Sequence, residues 1–184
     1  MSHYSIYFSF IANLEGGPAT KGYVPDAGNS RSGVTIATGF DLGQRKLADL
    51  QALDLPEALL DRLSPYLGLT GQAAVTQLAT QPLNITAAEA EQIDEAYKEP
   101  FINRLAASYA KSGGGDFAQL PAQMQTVIAS VAFQYGDLAS RTPNFWKQVV
   151  AHDWNAAHSN LLNFGDRYTS RRRQEAELLS QAMS

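Results

Sequence analysis

One block of the chain, between Gly17 and Gly43, is rich in glycine, proline, serine and asparagine, and it constrains the fold most. It contains two short apolar runs, Tyr23-Val24 and Val34-Thr35-Ile36. Short apolar runs bounded by turn residues are typical of strands joined by tight turns. We therefore expect a small hairpin or a three-stranded sheet in this block.

Helical patterns lie on both sides of the block. Before it, four apolar residues follow the i, i+3, i+4, i+7 spacing of one helix face: Tyr7, Phe10, Ile11 and Leu14. The Gly16-Gly17-Pro18 sequence should end this helix. From Leu47 onward, apolar residues recur at helical spacing almost to the end of the chain.

Several residues predict where the later helices begin and end. The capping box of Thr86 and Glu89 begins a helix that Pro100 should kink or break. The glycines of 112–115 should separate two helices rather than two domains. A strongly apolar helix, expected to be the buried central one, should run from Pro121 to a C-terminal cap at Gly136.

The last helix carries Arg171, Arg172 and Arg173, followed by Glu175 and Glu177. Such a charge run is most often a solvated helix face, with the arginines paired to the glutamates. The predicted fold is α+β, with an N-terminal helix and a small antiparallel sheet packed on a larger all-helical lobe. We expect a single domain over 1–184, with the sheet lobe at about 16–43 and the helical lobe at about 44–184.

Composition excludes several functional classes. The 184 residues carry a net charge of −4, which argues against a nucleic-acid-binding protein. The chain has no cysteine, so it can form neither a disulfide nor a thiolate metal site. Its three histidines, His3, His152 and His158, lack the spacing of zinc ligands, and we expect no metal and no cofactor. The N-terminal sequence lacks the basic region of a signal peptide, and no apolar run is long enough to span a membrane.

Four residues of the N-terminal region are candidates for chemistry. Glu15 ends the first predicted helix, where it is either a solvated side chain or a general acid. Asp41 has the spacing of a helix cap, but if the strand stays extended it also shares a face with Thr35. Asp26 lies in Pro25-Asp26-Ala27-Gly28, which is ordinary turn chemistry. Two carboxylates and a threonine across a cleft would suit acid/base hydrolysis of a sugar linkage.

The order of several motifs resembles that of T4-type phage lysozymes. Leu14-Glu15-Gly16 followed by the 33–39 sequence GVTIATG resembles their helix-plus-sheet catalytic region. The 131–136 sequence VAFQYG resembles their buried helix, and the segments 145–146, 153–157 and 165–176 resemble the helices after it. The middle of the chain, 47–115, matches only as a run of helices.

One departure from T4-type lysozymes favours a particular variant. Those enzymes carry the second carboxylate upstream of the strand threonine, but the residue six positions before Thr35 is Asn29. The muramidase domain of the bacteriocin pesticin and similar secretion-delivered effectors instead place an aspartate six residues after the threonine, which here is Asp41. The resemblance therefore implies Glu15 as general acid, Asp41 as general base and Thr35 as holder of the water. Asp26 is the alternative base.

The resemblance further implies a peptidoglycan muramidase that cleaves the β-1,4 bond between N-acetylmuramic acid and N-acetylglucosamine, with inversion. The alternatives are a lytic transglycosylase, a chitinase-like glycosidase and a non-catalytic glycan-binding module. Expected partners are peptidoglycan glycan strands and an immunity or inhibitor protein, with no nucleic acid and a monomeric state. We expect the protein to be made in the cytoplasm without a signal peptide and to act in the periplasm or cell wall of a target bacterium after delivery.

Overall fold

The predicted N-terminal helix is present as α1, Phe8–Leu14, in a computed structural model that describes residues 3–29 and 31–183. Its buried side chains are those of Phe8, Ile11 and Ala12. Tyr7 precedes the helix and is 42% exposed, so its predicted place on the apolar face was wrong. Because the helix begins one residue later, Tyr7 lies outside it and the helical spacing does not apply to Tyr7. Phe8, three residues before Ile11, lies on the same helix face as Ile11.

The glycine-rich block forms the predicted three-stranded sheet. Its strands are β1, Ala19–Tyr23, β2, Thr35–Ala37, and β3, Phe40–Asp41. Both neighbouring pairs are antiparallel and the strand order is β1-β2-β3. β2 and β3 therefore form a tight hairpin, and a longer loop joins β1 to β2.

The chain divides into two units, and α1 and the sheet belong to the one that spans Phe8–Lys98. This unit also contains α2, Leu47–Gln51, α3, Glu57–Leu63, α4, Gly71–Thr80, and the first part of α5, Ala87–Lys111. Its core joins apolar residues of the sheet to apolar residues of these helices. The predicted capping box is confirmed, because the Glu89 carboxylate accepts from the Thr86 amide and the Glu89 amide donates to the Thr86 hydroxyl.

Helix α5 is continuous from Ala87 to Lys111, so of the two predicted effects of Pro100 the break is wrong, and the kink stays a prediction. A proline inside a helix removes one backbone hydrogen bond and strains the preceding turn. Packing of the buried side chains on both sides of Pro100, such as Ile93 and Ile102, offsets that cost.

The second unit combines residues 3–7 with 99–183. After the last part of α5 it contains α6, Ala122–Tyr135, α7, Leu138–Arg141, α8, Pro143–Val150, α9, Trp154–Leu162, and α10, Thr169–Ser180. Every residue of α6 from Met124 to Ala132 is buried, and Gly136 caps the helix with φ +76°. The predicted buried central helix is therefore confirmed within this unit. Among the described residues, no helix is both long enough and apolar enough to cross a membrane.

The arginine run of α10 is not a solvated face, contrary to the prediction. Arg171 and Arg172 are buried, and Glu175 between them is fully buried. Glu175 accepts hydrogen bonds from both arginines and from the Ser130 hydroxyl of α6. The sequence pattern predicts the spacing of these charges along α10 but not which helix packs against them. Here α6 supplies polar partners, so Arg171 and Arg172 can be buried. Of the three arginines, Arg173 alone is exposed.

Arg172 makes further contacts that complete this buried network. Its Nε donates to Asp166 Oδ2 at 3.1 Å, and its Nη2 donates to the side-chain oxygen of Gln134. Asp166 also accepts from the Tyr135 hydroxyl at 2.7 Å. Burial alone would raise the pKa of Asp166, but the hydrogen bonds from Tyr135 and the Tyr168 amide, with the Arg172 charge, hold it below its usual value.

Candidate functional site

Thr35 of β2 and Asp41 of β3 lie directly opposite each other in the hairpin. The Leu42 amide donates to the Val34 carbonyl at 2.9 Å, which makes Thr35 and Asp41 a non-hydrogen-bonded pair. In such a pair the Cα atoms are about 4.5 Å apart and both side chains point to the same face. The two predicted site residues are therefore neighbours.

Thr35 and Asp41 were predicted to share a face on the condition that the strand stays extended from one to the other, and that condition is not met. The chain instead turns between β2 and β3, where Ala37 and Gly39 have φ values of +51° and +77°. Cross-strand pairing, not strand parity, brings Thr35 and Asp41 together.

The Asp41 carboxylate is fixed by backbone amides. Its Oδ1 accepts from the Gly43 amide at 2.8 Å and from the Gly33 amide at 3.0 Å. The first of these bonds caps a short 3₁₀ turn, Leu42–Gln44, so the capping interpretation of Asp41 is also correct. Oδ2 accepts no hydrogen bond from the part of the chain that the structure describes. One oxygen thus orients the group, and the other is left for a second partner.

Glycine is required at two positions beside Asp41. A Cβ on Gly43 would lie 2.5 Å from the Leu69 carbonyl oxygen and 2.6 Å from the Gly33 Cα. A Cβ on Gly33 would lie 2.4 Å from the Gly43 Cα. The two glycine backbones therefore touch, and this contact directs both of their amides at one carboxylate oxygen.

Thr35 is 3% exposed, and its hydroxyl donates to the Gly33 carbonyl at 3.2 Å. The hydroxyl oxygen keeps its lone pairs after this donation. It can therefore accept a hydrogen bond from a water or from a substrate hydroxyl beside Asp41.

The turn of the hairpin is bonded to α5. The Thr38 amide and hydroxyl donate to the two oxygens of Asp94 at 2.9 and 2.6 Å, and the Tyr97 hydroxyl donates to the Thr38 carbonyl. Asp94 is 1% exposed. Every polar group of Thr38 is thus bonded to a side chain of α5.

Glu15 lies immediately after α1, where the chain turns sharply. Its amide donates to the Ala12 carbonyl, and Gly16 and Gly17 follow with φ values of +96° and +89°. The side chain is exposed. Its predicted position at a helix end is confirmed.

Electrostatics connects Glu15 to the hairpin turn. Burial raises the pKa of Asp94, and the Glu15 charge raises it further, against the Thr38 hydrogen bonds and the Lys98 ammonium, which lower it. Burial likewise raises the pKa of Tyr97, with added contributions from the charges of Asp94 and Glu15. The Glu15 carboxylate is therefore close enough to act on both side chains that hold Thr38.

Cations surround the same region. The Arg45 guanidinium lies 4.2 Å from the centre of the Phe40 ring and 5.8 Å from that of Tyr97. The Lys98 ammonium lies 5.6 Å from the Tyr97 ring centre. Of the two, Lys98 partly balances the charge of Asp94.

Asp26 lies in a separate environment. It is exposed in the turn after β1, in a left-handed conformation with φ +44°. Its Oδ1 accepts from the Asn29 side chain at 3.3 Å, and its carbonyl accepts from the Asn29 amide. These are the contacts of a turn residue, and Asp26 has no strand pairing with Thr35.

Asp94 and Tyr97 were not predicted as residues of the site. The available signal was an aspartate on the face of a helix that also carries Ala90, Ile93 and Tyr97, since an acid within an apolar stripe must find a partner. Within residues 3–29 and 31–183, no cluster of three or more histidine, aspartate and glutamate side chains could hold a metal ion.

A largely helical chain with a small three-stranded antiparallel sheet is consistent with a lysozyme-like α+β fold. Residues 5–155 match the family described as Pesticin, a bacterial toxin homologue of phage lysozyme, C-terminal part, and the chain belongs to this family. None of the curated proteins matches the chain.

Proposed function

We propose that the protein is a peptidoglycan muramidase that hydrolyses the β-1,4 bond between N-acetylmuramic acid and N-acetylglucosamine with inversion. The observation that carries the proposal is the cross-strand pairing of Thr35 with Asp41, whose Oδ2 accepts no hydrogen bond from the described residues. Family membership supports the same reading at the level of a lysozyme-like hydrolase.

In this mechanism Glu15 is the general acid. It donates its proton to the glycosidic oxygen as the bond from that oxygen to the anomeric carbon breaks. A glutamate that is exposed at a helix end, rather than buried in the core, can reach a polymeric substrate. Transfer from a positioned carboxylic acid contributes about 10²–10⁴-fold to such a reaction.

Asp41 and Thr35 act on the attacking water. Asp41 Oδ2 takes one proton from the water. At the same time the oxygen of the water bonds to the anomeric carbon from the face of the sugar opposite the leaving group. The Thr35 hydroxyl accepts the water's second hydrogen and so orients it. The products are a reducing end of inverted configuration and a free hydroxyl, and proton exchange with solvent restores both carboxyl groups.

This activity fits a role in lysis of bacterial cell walls. The family description names a bacterial toxin, which supports an antibacterial protein that acts in the periplasm or cell wall of a target bacterium after delivery. A producing cell would then need an immunity or inhibitor protein that covers the site. Co-expression and pull-down with proteins encoded beside it would identify such a partner.

The test is digestion of purified peptidoglycan, with Glu15→Gln as the matched inactive variant. We expect new reducing ends on muramic acid, hydrolysed fragments in the mass spectrum, and the inverted anomer in NMR spectra taken early in the reaction. The Gln variant should stay folded and release no fragments.

Other products would replace the proposal. Anhydromuramic ends would make the protein a lytic transglycosylase, and preferred cleavage of chitin would make it a chitinase-like enzyme. Glycan binding without cleavage would make it a binding module. Activity of folded Glu15→Gln close to wild type would remove Glu15 from the acid role.

A further inference from the structure

Thr38, in the hairpin turn, is bonded to α5 at three points. Asp94 accepts from both its amide and its hydroxyl, and Tyr97 donates to its carbonyl. All these residues belong to the unit that spans Phe8–Lys98. The contact therefore joins the strand pair of the candidate site to a helix of its own unit.

The turn needs such external support. Ala37 before Thr38 and Gly39 after it both have left-handed backbones, with φ +51° and +77°. A left-handed conformation is unfavourable for alanine because its Cβ crowds the backbone. The turn nevertheless sets the register that pairs Thr35 with Asp41, so a force that holds the turn also holds the pair.

We propose that Asp94 is a positioning residue that fixes the β2–β3 hairpin, and with it Thr35 and Asp41, in the geometry that hydrolysis requires. This inference rests on the proposed function. Asp94 does not contact substrate in this scheme, and it acts through Thr38.

The placement of the acid supports a functional rather than a purely structural role. An aspartate that is 1% exposed has lost its hydration, and the nearby Glu15 charge opposes its ionisation further. Lys98 and the two Thr38 donors counter these effects only in part, because the pKa of Asp94 remains raised. Buried acids of this kind are concentrated at functional sites, where position outweighs stability.

The test measures kcat and KM on peptidoglycan fragments for a graded series. Asp94→Ala removes both acceptors from Thr38, whereas Asp94→Asn keeps one oxygen for the Thr38 amide. We expect kcat of Asp94→Ala to fall by about 100-fold, the loss that a misplacement of about 1 Å produces, with KM nearly unchanged. Asp94→Asn should show a smaller loss. Glu91→Ala, an exposed acid on the same helix, is the matched control and should keep wild-type kcat.

A double-mutant cycle shows whether Asp94 acts through Thr38. Thr38→Val removes only the hydroxyl, and the double variant with Asp94→Ala should have the kcat of Asp94→Ala alone. Losses that multiply would overturn the inference. So would a kcat for the folded fraction of Asp94→Ala equal to wild type, because Asp94 would then only stabilise the fold.

Circular dichroism at the assay temperature determines that folded fraction. If the wild-type protein itself cleaves no glycan, the proposed function is wrong and the role of Asp94 in hydrolysis falls with it. That outcome is distinct from an active wild type with fully active Asp94 variants, which would refute the inference alone.

Discussion

The proposed catalytic role of Asp41 and its structural role depend on different oxygens of its carboxylate, so a substitution that changes one oxygen can separate them. In Asp41→Asn the retained oxygen can still accept from the Gly33 and Gly43 amides, as Oδ1 does now. The atom that changes is Oδ2, which the mechanism uses as the base. We therefore expect a folded protein whose activity is about 10²–10⁴-fold lower, the usual contribution of a general base.

The stability change follows from the same bonds. Asparagine caps helical turns about as well as aspartate, so Asp41→Asn should cost less than about 1 kcal/mol of unfolding free energy. Asp41→Ala leaves two amides without an acceptor, one of them on buried Gly33. At about 1–3 kcal/mol for each of the two unsatisfied donors, the loss should reach roughly 2–6 kcal/mol.

The assay combines urea unfolding with release of reducing ends from peptidoglycan. Asp26→Asn is the matched control, since its side chain bonds only within an exposed turn, and it should keep most activity. The reasoning is refuted if Asp41→Asn remains active while Asp26→Asn is inactive. The base would then lie upstream of Thr35, and Asp41 would be a cap alone.

Three further predictions concern stability. Glu175→Gln should lower the unfolding free energy by about 3 kcal/mol, because it leaves two buried arginines short of a countercharge. The exposed Arg173→Met nearby should change it little, and equal effects of the two variants on urea unfolding would contradict the burial argument. The pKa of Asp166 is lowered in the folded state, so its stabilising contribution is complete above about pH 4 and is lost as pH falls through the folded pKa. Asp166→Asn should therefore lose less unfolding free energy than wild type between pH 5 and pH 3, and an equal loss would exclude Asp166 as a source of the pH dependence. Gly43→Ala should lower the unfolding free energy by about 1–3 kcal/mol, since its Cβ would lie 2.5 Å from backbone, whereas the Cβ of Gly28→Ala would lie in open space. An unchanged thermal unfolding curve for Gly43→Ala would show that the backbone shifts to admit the Cβ without loss of stability.

Local signals in the sequence predicted the parts of the fold that depend on local physics. The capping box of Thr86 and the cap at Gly136 are each set by residues within one turn, and both are present. The burial of α6 was predictable because its apolar residues surround the helix rather than forming one stripe.

The errors arose where a distant element decides the outcome. The pattern 171–173 could not reveal that α6 offers Ser130 and Gln134 as partners for inward-facing arginines. Pro100 is accommodated because the helix is packed on both sides of it.

The candidate site shows the same division. Glu15, Thr35 and Asp41 could be proposed from local motifs and a family resemblance, but Asp94 could not. Its partner Thr38 is 56 residues away in the sequence, and no local pattern links the two.

The N-terminal segment has a consequence for synthesis on the ribosome. The amides of Ser5 and Tyr7 donate to the side chains of Gln125 and Thr126 on α6, about 120 residues later in the chain. The whole of the other unit is translated between these two sets of partners. Once they have left the exit tunnel, residues 3–7 must therefore wait for α6, while the unit with the candidate hairpin can fold as it emerges. Circular permutation that joins residues 3–7 to the helices they bond would remove this delay.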